Sequence, residues 1–357
     1  MTRSKIPAIS TVVSDLMRGH VALYFVASPL QYLAARRIAE RHEQGARQVL
    51  VWYKRAVAAV VRAEDWDASS YMPWPRFEPL PGWFGRHRRL LENIKLVAKL
   101  VGKCDTLHIH SAVFDTEAIN YFLHALPPRC GAGITRARIL PDGLISIRRY
   151  PLSPIKRAGQ RLRSLRTVLT PELRYWRFAG DRIGSDAPFC DRIYVLPGLP
   201  HEYPIDKVVV LPPLVEPRAA DSNGTQPRAL VIGQPLVGAG LMEARDRDAV
   251  AERIRAWLQR EGIREIHYKG HPKDPHRELC DSSYRVLELN EPLELYMSHA
   301  WYNVVVGVRS SALLFARQLY DRSTRVIAFG WEDVKFKSKQ EEADMRNAFR
   351  ACEVEFE

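Results

Sequence analysis

The chain has 357 residues, 46% of them hydrophobic and 26% charged, a length that suits two domains of moderate size better than one. Its five cysteines, Cys104, Cys130, Cys190, Cys280 and Cys352, are scattered without a CxxC pair, which argues against a disulfide framework or a cysteine zinc site and fits a reducing compartment. No apolar run reaches the ~20 residues of a membrane-spanning helix, and a formal charge of +12 with a pI near 9.6 favours an anionic partner, whether nucleic acid, lipid headgroup or glycan, without choosing among them.

Residues 1–19 read as a leader without the continuous apolar stretch of an export signal, so a cytoplasmic location is expected. From His20 the chain alternates strand and helix. "HVALYFVAS" is an apolar run of strand length, and "LQYLAARRIAERH" follows with apolar positions at helical spacing. "RQVLVWYK" leads into a helix over "AVAAVVRAED", and "DTLHIHS" leads into "DTEAINYFLHAL". "RARILPDG" is a strand stopped by Pro-Asp-Gly, and a basic helical stretch from Ser153 to Arg182 comes next. Residues 20–205 thus form one α/β domain with a parallel sheet. Residues 206–228, rich in Pro, Gly, Asn and Asp, read as a linker. The rhythm restarts over 229–330: strand "ALVIGQP", helix "DRDAVAERIRAWLQREG", strand "REIHYKG", helix "PLELYMSHA", strand "WYNVVVGV", helix "SSALLFARQLYD" and strand "RVIAFG". A terminal helix is expected over 331–357.

Parallel sheets bind ligands at the carboxyl ends of their strands, and those ends carry the candidate residues. In the second domain they are Gly233 and Gln234, then Lys269, His271 and Pro272, then Glu294 in the first turn of a helix. Ser310 and Ser311 stand where a strand passes into a helix. A helix N-terminus offers unpaired N–H groups to a phosphate, though Ser310 reads equally well as an N-cap. His271 is either a turn residue satisfied by backbone or a group that titrates near neutral pH beside an anion; the spacing of His267, His271, His276 and Cys280 matches no common zinc pattern. In the first domain Ser28 and Gln31, His110 and Ser111, and Asp142 fall at strand ends, Asp142 also being half of an ordinary Asp-Gly turn.

The order of an Asp-Gly turn, "YKGHP", "EPLE" and "GVRSSALLFA", with "SPLQYLAA" near the start, resembles the bacterial sialyltransferases, including the lipooligosaccharide sialyltransferase and capsular polysialyltransferase families. The resemblance runs from about Val21 to Gly330 and implies a GT-B fold of two Rossmann-like domains facing a cleft. It implies an inverting transfer of sialic acid or a related nonulosonic acid from a CMP-activated donor to a hydroxyl of a cell-surface glycan. Asp142 takes the position of the general base and His271 that of the catalytic or phosphate-binding histidine. Ser310 and Ser311 hold the CMP phosphate, Glu294 contacts the ribose, and Gly233 and Gln234 lie on the nucleotide loop with Lys269 and Pro272 beside it. Ser28, Gln31, His110 and Ser111 fall on the acceptor or donor-sugar side. The family has two acids before its glycine; here the first is Pro141. No acidic DxD-like cluster suited to a divalent ion is read, so no metal or other cofactor is expected. The basic stretch 147–182 is expected to meet an anionic glycan or glycolipid acceptor and to contact the inner face of the cytoplasmic membrane peripherally. Two other readings stay open: a CMP-Kdo-dependent Kdo transferase, and a basic nucleic-acid- or membrane-binding protein without catalysis. Against nucleic acid stands the lack of an RNP-like or zinc-finger pattern.

Overall fold

The computed structural model describes residues 19–142, 149, 151–214, 226–271, 273–291, 293–320 and 322–357, the side chain of Ala56 excepted. The leader before Gly19 and Pro272 therefore lie outside the described residues. Two compact units emerge, one drawn from Met1–Ala27, Ala35–Leu140 and Tyr150–Ile193, the other from Ser28–Ala34, Pro141–Arg149 and Tyr194–Glu357.

One sheet has seven strands, in the order β3-β2-β1-β4-β5-β6-β7. Its strands are β1 His20–Val26, β2 Arg47–Trp52, β3 Ala68–Tyr71, β4 Thr106–Ser111, β5 Ile134–Ile139, β6 Cys190–Val195 and β7 Val208–Val210, with parallel pairing from β3 through β6. β1 is buried from Val21 to Val26, as a central strand covered on both faces must be, and this explains its unbroken apolar run. Edge strand β3, "ASSY", is half-buried throughout and carries no periodic signal. The accompanying helices are α1 Pro29–Arg41, α2 Gly85–Val101, α3 Glu117–Asn120, α4 Phe122–Cys130, α5 Pro154–Ser164 and α6 Arg166–Leu169.

Two expected helices are shorter or absent. "AVAAVVRAED" forms two 3-10 turns, Arg55–Ala59 and Ala63–Asp65, as suits a segment whose β-branched valines crowd an α-helical turn. The basic stretch is helical only to Leu169: Thr170 is extended, Pro171 follows, and the chain returns to an antiparallel bridge between Pro151 and Asp181. The Asp181 carboxylate then accepts the N–H groups of Gly184 (2.9 Å) and Ser185 (3.1 Å), a side-chain turn that competes with helix.

The second unit carries a six-stranded parallel sheet of order β10-β9-β8-β11-β12-β13. Its strands are β8 Arg228–Ile232, β9 Glu265–Lys269, β10 Arg285–Val286, β11 Val304–Gly307, β12 Arg325–Ala328 and β13 Glu355–Phe356, alternating with α7 Ala244–Arg260, α8 Leu293–His299, α9 Ser311–Leu319 and α10 Lys339–Ala351. Val250, Ile254, Trp257 and Leu258 of α7 pack on Ala229, Val231, Tyr268 and Val306 of the sheet. Each fully buried aliphatic side chain of this kind contributes ~1.5–3 kcal/mol. The terminal helix is followed by a strand, β13, that the sequence pattern did not show. Both sheets are Rossmann-like, the pair from which a GT-B fold is built. Among the described residues no helix is long and apolar enough to cross a membrane.

Candidate functional site

In the second sheet the strand order reverses between β8 and β11, the switch point at which open α/β sheets leave a ligand crevice beyond their carboxyl ends. β8 ends there in Gly233-Gln234 and β11 in Gly307-Val308-Arg309-Ser310. Oε1 of Gln234 accepts the backbone N–H of Arg309 at 2.9 Å, so the two loops that frame the switch point are tied together.

Gly233 is required by close approach. A Cβ at this position would fall 2.3 Å from the Tyr268 hydroxyl and 3.1 Å from Cα of Gly270. The Tyr268 hydroxyl donates to Asp274 (3.2 Å), and Asp274 accepts the N–H of Glu278 (3.1 Å). The chain beyond β9 thereby folds against the end of β8, with Lys269 the last residue of β9 and His271 in the loop that follows. Lys269 Nζ donates to the Gly270 carbonyl (3.2 Å).

His271 is exposed, and its Nδ1 accepts the backbone N–H of Lys273 at 3.0 Å. That bond settles the tautomer: the neutral ring carries its proton on Nε2 and presents a donor outward. Partial burial, then the charges of Lys273 and Lys269, lower its pKa from the usual imidazole value against the opposing pull of Asp274. Its neighbour His267 is a core residue, 4% exposed, with Nδ1 2.7 Å from the Tyr302 hydroxyl.

Ser310 is the N-cap of α9, its Oγ accepting the N–H of Ala312 at 3.3 Å, while Ser311 is exposed. Ser311 and Glu294 line one small cavity of about 40 Å³ with Leu30, Leu196, Leu199, Leu314, Phe315 and Gln318. These surroundings are largely apolar, and burial raises the Glu294 pKa above the usual carboxyl value.

In the first sheet Ser28 follows β1, Ser111 ends β4 and Asp142 lies shortly after β5, the carboxyl ends of three adjacent strands. Asp142 is half-buried behind the buried Pro141, and the Leu140 N–H bonds to the Ser111 carbonyl (3.1 Å). Ser28 Oγ accepts the Gln31 N–H at 3.2 Å, the bond of a helix start, and Gln31 is buried. Ser111 is fully buried, its hydroxyl facing the Val113 carbonyl (3.4 Å). His110 is also fully buried, stacked on Tyr24 with centroids 4.4 Å apart and Nε2 3.2 Å from Glu43. It points into the unit, where burial first lowers its pKa.

The sequence reading missed a cavity of about 270 Å³ in the first unit, lined by Trp74, Arg76, Arg86, Asp115, Glu117, Lys156, Arg163 and Arg182 among others. Asp115, 4% exposed, is surrounded by Arg163 (3.5 Å), Lys156 (3.7 Å) and Arg182 (3.9 Å). Glu117 bridges Arg86 (2.8 Å) and Arg166. The "DTEA" acids and the arginines of α5 and α6 each carried a signal, but their pairing across some fifty residues carried none.

Residues 205–327 match the family described as alpha-2,8-polysialyltransferase (POLYST). The matched segment contains Gly233, Gln234, Lys269, His271, Glu294, Ser310 and Ser311 and excludes Asp142. No curated protein matches the chain in sequence. Among solved structures the chain is similar to the glycotransferase of kitacinnamycin, at 11% identity and a TM-score of 0.49 with 95% of this chain and 86% of that chain covered. It is also similar to E. coli ADP-heptose lps heptosyltransferase II, at 11% identity and a TM-score of 0.43 with 87% and 84% covered. Acinetobacter baumannii MurG is similar at 10% identity and a TM-score of 0.44 with 94% and 85% covered.

Proposed function

We propose that the chain is a sialyltransferase-type glycosyltransferase, on the premise that the segment matching the polysialyltransferase family is the one whose strand ends meet at a nucleotide-type switch point. That coincidence carries the reading. The donor is a CMP-activated sialic acid or related nonulosonic acid, and the acceptor a hydroxyl of an anionic glycan or glycolipid.

The reaction so read is an inverting displacement. The acceptor hydroxyl oxygen bonds to the anomeric carbon as the bond from that carbon to the CMP phosphate oxygen breaks. The acceptor proton passes to the Asp142 carboxylate. CMP leaves as a phosphate monoester whose second pKa is ~6, so it needs hydrogen bonds more than full protonation. His271 supports this role through Nε2–H, and the start of α9 with the Ser311 hydroxyl supplies further donors aimed at negative charge. Glu294 accepts from ribose hydroxyls, and Gly233 allows the nucleotide to approach the backbone. No metal takes part in this scheme.

The acceptor belongs to the first unit, whose 270 Å³ cavity is walled by Arg76, Arg86, Lys156 and Arg182 around Trp74. Exposed basic and apolar side chains of α5 and α6 favour peripheral contact with a membrane that presents the acceptor.

The test is a panel of CMP-sugars with sialylated and lipooligosaccharide acceptors, read as CMP release. Turnover with CMP-sialic acid that falls by ~10²-fold or more in Asp142→Asn, the scale of a lost general base, and falls also in His271→Ala, supports the assignment. CMP release unchanged in both variants, or turnover of CMP-Kdo alone, overturns it.

A further inference from the structure

Away from the nucleotide-side residues, three side chains of the first unit converge on one point. His20 opens β1, and His108 lies on β4, whose partner in register on β1 is Ala22. His20 and Ala22 share a face of the strand, so both imidazoles project from the same side of the sheet. Glu43 comes from the turn after α1 and is 1% exposed. His20 Nε2 lies 2.7 Å from His108 Nδ1, His108 Nδ1 lies 3.0 Å from Glu43 Oε2, and His20 Nε2 lies 3.3 Å from the same oxygen. The two rings meet edge to face, with centroids 4.2 Å apart at 76°.

Hydrogen bonding does not account for this triangle. Arg138 holds the other oxygen, Oε1, as a carboxylate, and His110 Nε2 approaches the same oxygen at 3.2 Å. With Glu43 ionised, a proton on His20 Nε2 leaves the lone pair of His108 Nδ1 facing the carboxylate. A proton on His108 Nδ1 leaves that of His20 facing it. Protons on both nitrogens meet head-on at 2.7 Å. Every arrangement leaves one edge repulsive, whereas a cation in the middle satisfies all three.

We propose that His20, Glu43 and His108 form a binding site for a transition-metal dication, Zn²⁺ being the ion their two nitrogens and one oxygen fit best. An ion ~2 Å from each atom, the usual zinc–nitrogen and zinc–oxygen distance, sits about 1 Å off their plane. His20 is partly exposed, at 30%, so a water can complete a tetrahedron from the open side. Arg138 and His110 fix the carboxylate from behind, the orienting role of outer partners in metal sites. Asp191 in turn pairs with Arg138 through two 3.1 Å bonds and offsets its charge. The site joins β1, β4 and the α1–β2 turn below the strand ends that carry the candidate transfer residues, so its role is to brace the sheet.

The experiment uses the full chain freed of metal by EDTA and dialysis, then titrated with Co²⁺ or Zn²⁺ without nucleotide or sugar. The expected results are about one tightly held ion per chain, a visible Co²⁺ spectrum of a low-symmetry nitrogen–oxygen site, and a Tm raised by several degrees with Zn²⁺ but not with Mg²⁺. His20→Ala and His108→Ala should each weaken Zn²⁺ binding at least tenfold and remove the Tm rise. His20→Ala alters a partly exposed ring and keeps the fold testable where Glu43→Gln would strand Arg138. No bound ion in the wild type, or equal binding in His20→Ala, overturns the proposal. Neither outcome touches the transferase reading, which stands or falls on CMP release.

Discussion

At the scale of single residues, the surroundings of Glu294 make the sharpest prediction. Glu294 lines a small cavity with Leu30, Leu196, Leu199, Leu314 and Phe315, and burial raises its pKa. A carboxyl with a raised folded pKa contributes its full stability below its unfolded pKa, and that contribution is lost as pH rises through the folded value. The wild type therefore carries an ionisation penalty at neutral pH that Glu294→Gln lacks. We expect the Tm of Glu294→Gln to exceed that of wild type by a few degrees near pH 7.5 and to match it near pH 4, measured by thermal melts at both; an equal difference at the two pH values would refute the burial argument. At the same scale, legibility divided by range. Ser310 and His271 announced themselves through local turn and cap chemistry. His110 read as a group at a strand mouth, because a strand sequence does not reveal that an acid 67 positions earlier will claim its ring. Glu43, in the ordinary helix-end sequence "ERHEQG", carried no sign that it would gather His20, His108, His110 and Arg138.

At the scale of elements, the loops after β8 and β9 act as one piece because Gly233 lets them touch. Gly233→Ala drives a methyl into Tyr268 and Gly270, an overpacking that costs ~1–3 kcal/mol. It should also move the His271 loop, so CMP affinity should fall by more than the stability loss explains. Calorimetric CMP titration of the folded variant checks this, and wild-type affinity would show that the loop relaxes without consequence. Strands were the most readable elements, since β1, β8 and β11 are buried on both faces and keep continuous apolar runs. The polar edge strand β3 and the two-residue β13 were not, because a short edge strand has neither period nor run. The basic segment misled beyond Leu169 because its arginines suit a helix by propensity, while Pro171 and the Asp181 turn decide otherwise.

At the scale of the molecule, the excess positive charge resolves into two populations. Arg163, Arg166, Lys156 and Arg182 are engaged with Asp115 and Glu117, whereas Arg157 and Arg161 are exposed. Alongside the exposed pair stand Ile155, Leu162, Leu165, Val168 and Leu169, 61% to 84% exposed, an apolar surface with a basic border of the kind that lies in a lipid interface. The wild type should co-float with phosphatidylglycerol vesicles. Arg157→Glu with Arg161→Glu should weaken that binding and its salt dependence, at ~1 kcal/mol per charge, and Leu162→Asp with Val168→Asp should abolish it, all at unchanged Tm because these side chains are exposed. A wild type that stays with the soluble fraction sinks the idea. Charge reversal at Arg163 or Arg166 is a poor probe, since it breaks ion pairs inside the unit.

The bond between Gln234 and Arg309 bears on how any anion would be received at the switch point. The Arg309 N–H already has a carboxamide oxygen at 2.9 Å. Binding there is an exchange: the ligand gains only the surplus of its own hydrogen bond over the one it displaces. A neutral acceptor has almost no surplus to offer. A charged oxygen does, because hydrogen bonds to ions contribute ~1.5–3 kcal/mol against about 1 for neutral pairs. In the proposed transferase Gln234 would act as a resident competitor at this N–H, favouring a charged oxygen over a neutral one.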